Sequence, residues 1–200
     1  MKILAAGDFH GDRIKAKKLA DLAEKENVDL IILNGDIVEE ENVEGIVGHF
    51  ASKNKRLLLI PGNHETNATM DFLAKVYNAK NLHMSFVNYD GIGIVGVGGA
   101  NVGLTQLDDE EFFNSIKKGV YYTKNSKTKI WVTHIHPADT KMERFSNFVT
   151  GSSGLKQAID KFQPDLVICG HVHEAEGIEE KIGKTTVLNV GRNGKIINIE

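Results

Sequence analysis

The sequence predicts an α/β protein built as a four-layer α/β/β/α sandwich, two mixed β-sheets packed together and flanked by helices. Three observations point there. Short apolar, β-rich runs alternate with helical patterns from residue 3 to residue 77. Leu30–Leu33 and Leu57–Ile60 are continuous apolar runs, as expected of parallel strands covered on both faces. Beyond residue 80 too many strands follow one another for a plain doubly wound sheet, so a second sheet is required.

Ile3–Ala6 reads as the first strand. Residues 13–26 follow as an amphipathic helix, with Ile14, Leu19, Leu22 and Ala23 near a 3.6-residue period. Leu30–Leu33 and Leu57–Ile60 are the next strands. Residues 40–53 supply a helical crossover between them, and residues 68–77 a further helix, giving βαβαβα with right-handed crossovers. Ser85–Tyr89 and Ile92–Val97 flank Asp90-Gly91, a hairpin turn signal. Residues 108–118 read as a helix with acids at its start and lysines at its end, matching the helix dipole. Lys129–Thr133, Leu166–Cys169, Thr185–Asn189 and Lys195–Ile199 are later strands, with a helix at about 155–162. No linker or internal repeat divides residues 1–200, so a single domain is expected.

Composition is that of an ordinary soluble chain, 41% hydrophobic and 26% charged. A net charge of -3 provides no global field for nucleic acid or acidic membranes, and Lys15, Lys17 and Lys18 read as a solvated helix face. Cys169 is the only cysteine, so no internal disulfide forms. No apolar run approaches the roughly 18 residues of a membrane span, and the chain enters a strand pattern at once. A cytoplasmic protein is the expectation; oligomeric state is not legible.

The polar residues cluster after strands. Asp8-Phe9-His10 follows the first, Asn34-Gly35-Asp36 the second, and Pro61-Gly62-Asn63-His64-Glu65 the third. His134-Ile135-His136-Pro137 and Gly170-His171-Val172-His173 follow two later ones. Ligands of open α/β sheets bind beyond the carboxyl ends of strands. On an extended chain Asp8 and His10 would point to one side, as would His171 and His173. Carboxylates, imidazoles and an amide, with no cysteine in view, suit two divalent ions of the Mn, Fe, Zn, Ni or Co type rather than a closed zinc site.

This set of DFH, GD, GNHE, a post-strand His and GHVH resembles the calcineurin-like metallophosphoesterase superfamily, over residues 2 to about 191. The resemblance implies a double β-sandwich with a dinuclear metal centre. It implies that Asp8, His10 and His173 hold one metal, Asn63, His134 and His171 the other, and that Asp36 bridges them. It implies in-line attack by a metal-bridging hydroxide on a small phosphodiester, such as a cyclic nucleotide, or on a phosphomonoester. His64 matches the histidine that protonates the departing oxygen, and Glu39 and Glu65 match acids that orient loops. Alternatives are a catalytically inactive scaffold, against which all seven ligand positions and His64 stand, and a nuclease, for which no DNA-binding appendage is visible.

Two departures stand out. His134-Ile135-His136-Pro137 replaces the usual His-x-Pro-Pro, and His136 reads as a surface histidine or one behind the ligands rather than a phosphate contact. Asn189-Val190-Gly191 replaces Asn-Pro-Gly, a change of backbone stiffness. Arg192 lies beside it as a candidate substrate contact. Asn101, after the Gly96–Gly99 run, is a candidate cleft residue. Ser152 and Ser153 read as helix caps, Cys169 as core, and His49 and His83 as surface or hydrogen-bonded histidines. The absence of an arginine cluster favours diesters over the dianion of a monoester.

Overall fold

The computed structural model describes residues 1–39, 45–146 and 149–200. The 40–44 part of the expected crossover lies outside the described residues. One sheet has the order β11-β1-β2-β3-β4, with β1 Lys2–Ala6, β2 Leu30–Leu33, β3 Arg56–Leu59, β4 Lys80–Asn81 and β11 Lys195–Asn198. Strands β1 to β4 run parallel, and β11 pairs antiparallel with β1. The other has the order β5-β6-β7-β8-β10-β9, from β5 Ser85–Tyr89, β6 Ile92–Val97, β7 Thr128–Thr133, β8 Leu166–Cys169, β9 Glu179–Ile182 and β10 Thr185–Asn189. There β6, β7, β8 and β10 are parallel, and β5 and β9 are antiparallel edges.

Alternation along the strands builds the layers. Ile3, Ala5, Leu30, Ile32 and Leu58 face Ile94, Ile130, Val132, Ile168 and Leu188 across the space between the sheets. The intervening Leu4, Ala6, Ile31 and Leu33 pack outward against α1 Arg13–Lys25, α2 Ile46–Ala51 and α3 Asn67–Val76. On the far side Val95, Trp131 and Val167 pack under α4 Asp109–Thr123 and α5 Ser153–Phe162. The strands are continuously apolar because both of their faces are covered.

Some local expectations change. Ile14 is 71% exposed, so the buried stripe of α1 is Ala16, Leu19, Ala20 and Ala23 instead. Helix α4 runs on to Thr123 because Gly119 is buried against Val95 of β6 rather than ending the helix, and no basic residue lies in its last turn. Its start is as expected: Asp108 and Glu111 form a reciprocal capping box. Two strands escape the sequence pattern: β4 is only two residues long, and β9 is half-exposed and rich in charged residues. No helix among the described residues is long and apolar enough to cross a membrane.

Candidate metal centre

The parallel strands bring their carboxyl ends to one edge of the sandwich, where the two sheets meet. Asp8, Asp36 and Asn63 arrive from β1, β2 and β3 of one sheet. His134, His171 and His173 arrive from β7 and β8 of the other. Neither sheet alone carries the set.

The side chains converge in overlapping groups. Asp8, His10 and His173 place one oxygen or nitrogen each within 4.8 Å of one another, and so do Asp36, His134 and His171. Asp36 also groups with His10 and His64, so it belongs to both halves. Its Oδ2 lies 3.3 Å from His134 Nε2, 3.6 Å from His10 Nε2 and 3.9 Å from His64 Nε2. Asn63 Oδ1 lies 3.1 Å from His134 Nε2, and His10 Nε2 lies 3.1 Å from His173 Nε2.

The backbone that presents these groups differs from the expected extended segments. Asp8, His10, Asp36 and His171 all adopt left-handed φ, at 52°, 44°, 47° and 71°. Side-chain alternation therefore does not explain why Asp8 and His10 share a direction. Two left-handed residues turn the chain back on itself instead, held by Asp8 N–H to the Gly35 carbonyl at 2.9 Å and His10 N–H to the Asp36 carbonyl at 3.0 Å. His171 and His173 likewise do not line one side of a strand, and they fall in different groups because a short 3-10 turn begins at His173. Left-handed non-glycine residues cost roughly 1–3 kcal/mol each and persist where the surroundings over-determine them.

Those surroundings are polar and specific. The His134 Nδ1–H donates to the Asn34 carbonyl at 3.0 Å, which fixes the tautomer and turns Nε2 toward Asp36 and Asn63. The buried Glu65 carboxylate accepts the N–H groups of Asp36 at 3.0 Å, Val38 at 2.9 Å, Gly62 at 2.8 Å and Ile37, tying the GD loop to the GNHE loop. The His64 N–H donates to Asp36 Oδ1 at 3.0 Å. A Cβ at position 62 would sit 2.0 Å from Asp36 Oδ1, so only glycine permits this approach. The Asn189 amide donates to the Gly170 and Val172 carbonyls at 3.3 and 3.0 Å, and so steadies the turn that carries His171.

The electrostatics suit cations. Burial works against charge on His134, yet Asp36, Asp8 and Glu65 outweigh it and push the imidazole up to about 9. The centre thus favours positive charge at this point. Burial raises the Asp8 carboxyl. Burial also opposes ionisation of Asp36, but His134, the His64 N–H and His10 hold it below the usual carboxylate range. His171 is pushed down to about 3 by burial and by His134, so it stays neutral with a lone pair to offer. Its Nε2 is buried with no hydrogen-bond partner among the described residues. An orphaned imidazole nitrogen beside clustered carboxylates is a fit for a divalent ion.

The remaining expected residues sort differently. His64 is half-exposed at the rim, its ring edge-on to His10 with centroids 4.9 Å apart. His136 is not at the surface: it is fully buried because residues 136–138 pair with Ser152, and it joins none of the metal-capable groups. Glu39 is exposed. Asn101 donates to Thr150 and lines a different cavity. Ser152 caps α5, Cys169 is buried, and His83 Nδ1 accepts the Gly98 N–H at 3.1 Å. Arg192 lines a cavity of about 280 Å3 with Asp8 and His173. Sequence reasoning missed the grips of Asn34 and Asn189, although both stand at strand ends like the ligands themselves.

Comparison with known proteins identifies the fold and the family. Among solved structures the chain is similar to a Thermus thermophilus protein, at 18% identity and TM-score 0.72, with 98% of each chain covered. It is also similar to a dimetal phosphatase from Danio rerio, at 8% identity and TM-score 0.66, covering 94% of this chain and 86% of that one. An archaeal phosphodiesterase aligns at 20% identity and TM-score 0.56, covering 96% and 84%. At these identities the likeness concerns the fold. A search of curated proteins returns no significant match. The calcineurin-like phosphoesterase family model matches residues 1–175, stopping short of the Asn189-Val190-Gly191 motif. That match spans most of the 200 residues, and the chain belongs to the calcineurin-like phosphoesterase family, metal-dependent hydrolases of phosphoric esters.

Proposed function

We propose that residues 1–200 form one catalytic domain that hydrolyses small phosphodiesters, cyclic nucleotides among the candidates, with phosphomonoesters as the second class. Asp8, His10 and His173 would hold one divalent ion, Asn63, His134 and His171 a second, and Asp36 would touch both. The observation that carries this reading is the placement of Asp36 Oδ2, 3.3 Å from His134 Nε2 and 3.6 Å from His10 Nε2. One carboxylate between two clusters is what a shared ligand requires.

When bound, two such ions supply charge for the phosphoryl oxygens and acidify water, making a nucleophile available near neutral pH. The chain's own residues do the rest. Glu65 holds the GD and GNHE loops in register, so Asp36 and Asn63 keep their aim. The Asn34 carbonyl holds His134 in one tautomer. His64, half-exposed at the rim, would give a proton to the departing alkoxide oxygen. The diester preference rests on the lack of an arginine cluster for a phosphate dianion. The absence of any long basic stretch weighs against a nuclease.

The test is metal content together with parallel assays of Mn2+-, Ni2+- and Mg2+-reconstituted protein on aryl phosphate monoesters and diesters. Faster diester hydrolysis and close to two ions per chain are expected. Clear monoester preference would overturn the diester reading, and a single ion the dinuclear one.

A further inference from the structure

We propose that the cavity beside Asp8 and His173 is a subsite for an uncharged, hydroxylated substituent of the phosphodiester, pentose- or glycerol-sized, which stays on phosphorus during hydrolysis. This inference rests on the diesterase reading and adds the chemistry of the group recognised.

The cavity measures about 280 Å3, at the small end of ligand sites, and is lined by Asp8, His173, Glu176, Gly191, Arg192 and Asn193. No apolar side chain is among them, which leaves nothing to grip an alkyl or aryl group. With the Lys15 ammonium on Asn193 counted, two carboxylates meet two cations, so the wall has no net charge to draw a second phosphate or a carboxylate. A neutral polyol fits this mixture, because each hydroxyl both donates and accepts.

The walls are set before any ligand arrives. Glu176 Oε2 accepts the Arg192 N–H at 3.1 Å, and its Oε1 accepts from the Asn193 amide. The Asn193 Oδ1 in turn accepts from the Lys15 ammonium of α1. Gly191 gives the carboxylate its room, since a Cβ there would lie 2.4 Å from Glu176 Cγ. The Arg192 guanidinium has no hydrogen-bond or ion-pair partner among the described residues, so its donors are available to a ligand. Fixed acceptors beside a free fork of donors form a preorganised reader of adjacent hydroxyls.

The position of the cavity says which substituent it takes. It abuts Asp8 and His173, and His64 is not among its lining residues. In the reaction, water adds to phosphorus, the P–O bond to the leaving group breaks, and that oxygen takes its proton from His64. The group in the cavity is the other one, and it departs as the phosphomonoester product.

The experiment compares two diesters that share a p-nitrophenyl leaving group and differ in the retained substituent, ribosyl against ethyl, on metal-loaded protein. Recognition through hydrogen bonds to charged groups predicts kcat/KM about tenfold higher for the ribosyl diester. Arg192→Ala and Glu176→Gln should each bring the ratio to within about twofold of one. In calorimetry ribose 5-phosphate should bind about tenfold tighter than ethyl phosphate, and Arg192→Ala should remove the difference. Equal wild-type rates on both diesters, or a preference for an anionic substituent, would overturn this inference alone. Hydrolysis of monoesters with none of any diester would overturn the diesterase reading and the inference with it.

Discussion

The Glu65 carboxylate accepts the backbone N–H of Asp36 at 3.0 Å, so one buried acid holds the chain that carries another. The two carboxylates come from different loops, and Glu65 takes three further N–H groups on the same two loops. Burial and the charge of Asp36 push the Glu65 carboxyl up to about 7. Glu65→Gln keeps an acceptor oxygen but turns amide hydrogens toward backbone donors. It should cost on the order of 2–3 kcal/mol, seen as a lower Tm by circular dichroism, and should weaken metal retention. A variant with wild-type melting and metal content would show that Glu65 does not position these loops.

Asp36→Asn should lower bound metal as well as rate. The carboxylate stands within 4 Å of His134, His10 and His64, and an amide cannot neutralise two cations. Plasma emission analysis after dialysis is the measurement. An unchanged metal count would remove Asp36 as a shared ligand.

By distance His64 also groups with His10 and Asp36, so a ligand role and an acid role make different predictions. His64→Ala should slow alkyl leaving groups about 100-fold or more, and p-nitrophenolate much less, because only poor leaving groups need a proton. Its metal content should match the wild type. Equal losses on both substrates accompanied by metal loss would instead make His64 a ligand.

His83 lies outside the centre and offers a clean pH test. Burial pushes it down to about 4, and its Nδ1 accepts the Gly98 N–H, which requires the neutral ring. Between about pH 4 and 6.5 the unfolded chain binds a proton here that the folded chain does not, so stability falls as pH falls through this window. His83→Gln should flatten that part of the stability curve by up to about 2 kcal/mol, read from urea midpoints at about pH 5 and 7.5. Parallel curves for both proteins would refute it.

The site residues were legible because each follows an apolar run that reads as a strand, and a parallel strand carries its polar punctuation to the ligand-binding edge. The reason for their aim was not legible. Alternation along an extended segment accounts neither for Asp8 with His10 nor for His171 with His173, since the chain is left-handed at three of these four residues. Which of the two readings of His136 holds was not legible either, because the segment that buries it, at Ser152, comes later in the chain.

By itself the sequence determined the layers, the parallel direction of the opening strands and the inventory of carboxylates, imidazoles and amide at strand ends. These are local matters of periodicity and residue type. Only the tertiary structure decided how the inventory divides. Asp36 stands between the two halves, Glu65 and Asn34 hold the aim, and Arg192 faces a polar cavity beside Asp8. Each of these depends on the carboxyl ends of two sheets meeting at one edge. That juxtaposition arises from the packing of Ile3, Leu30 and Leu58 against Ile130, Val132 and Ile168, which no local pattern encodes.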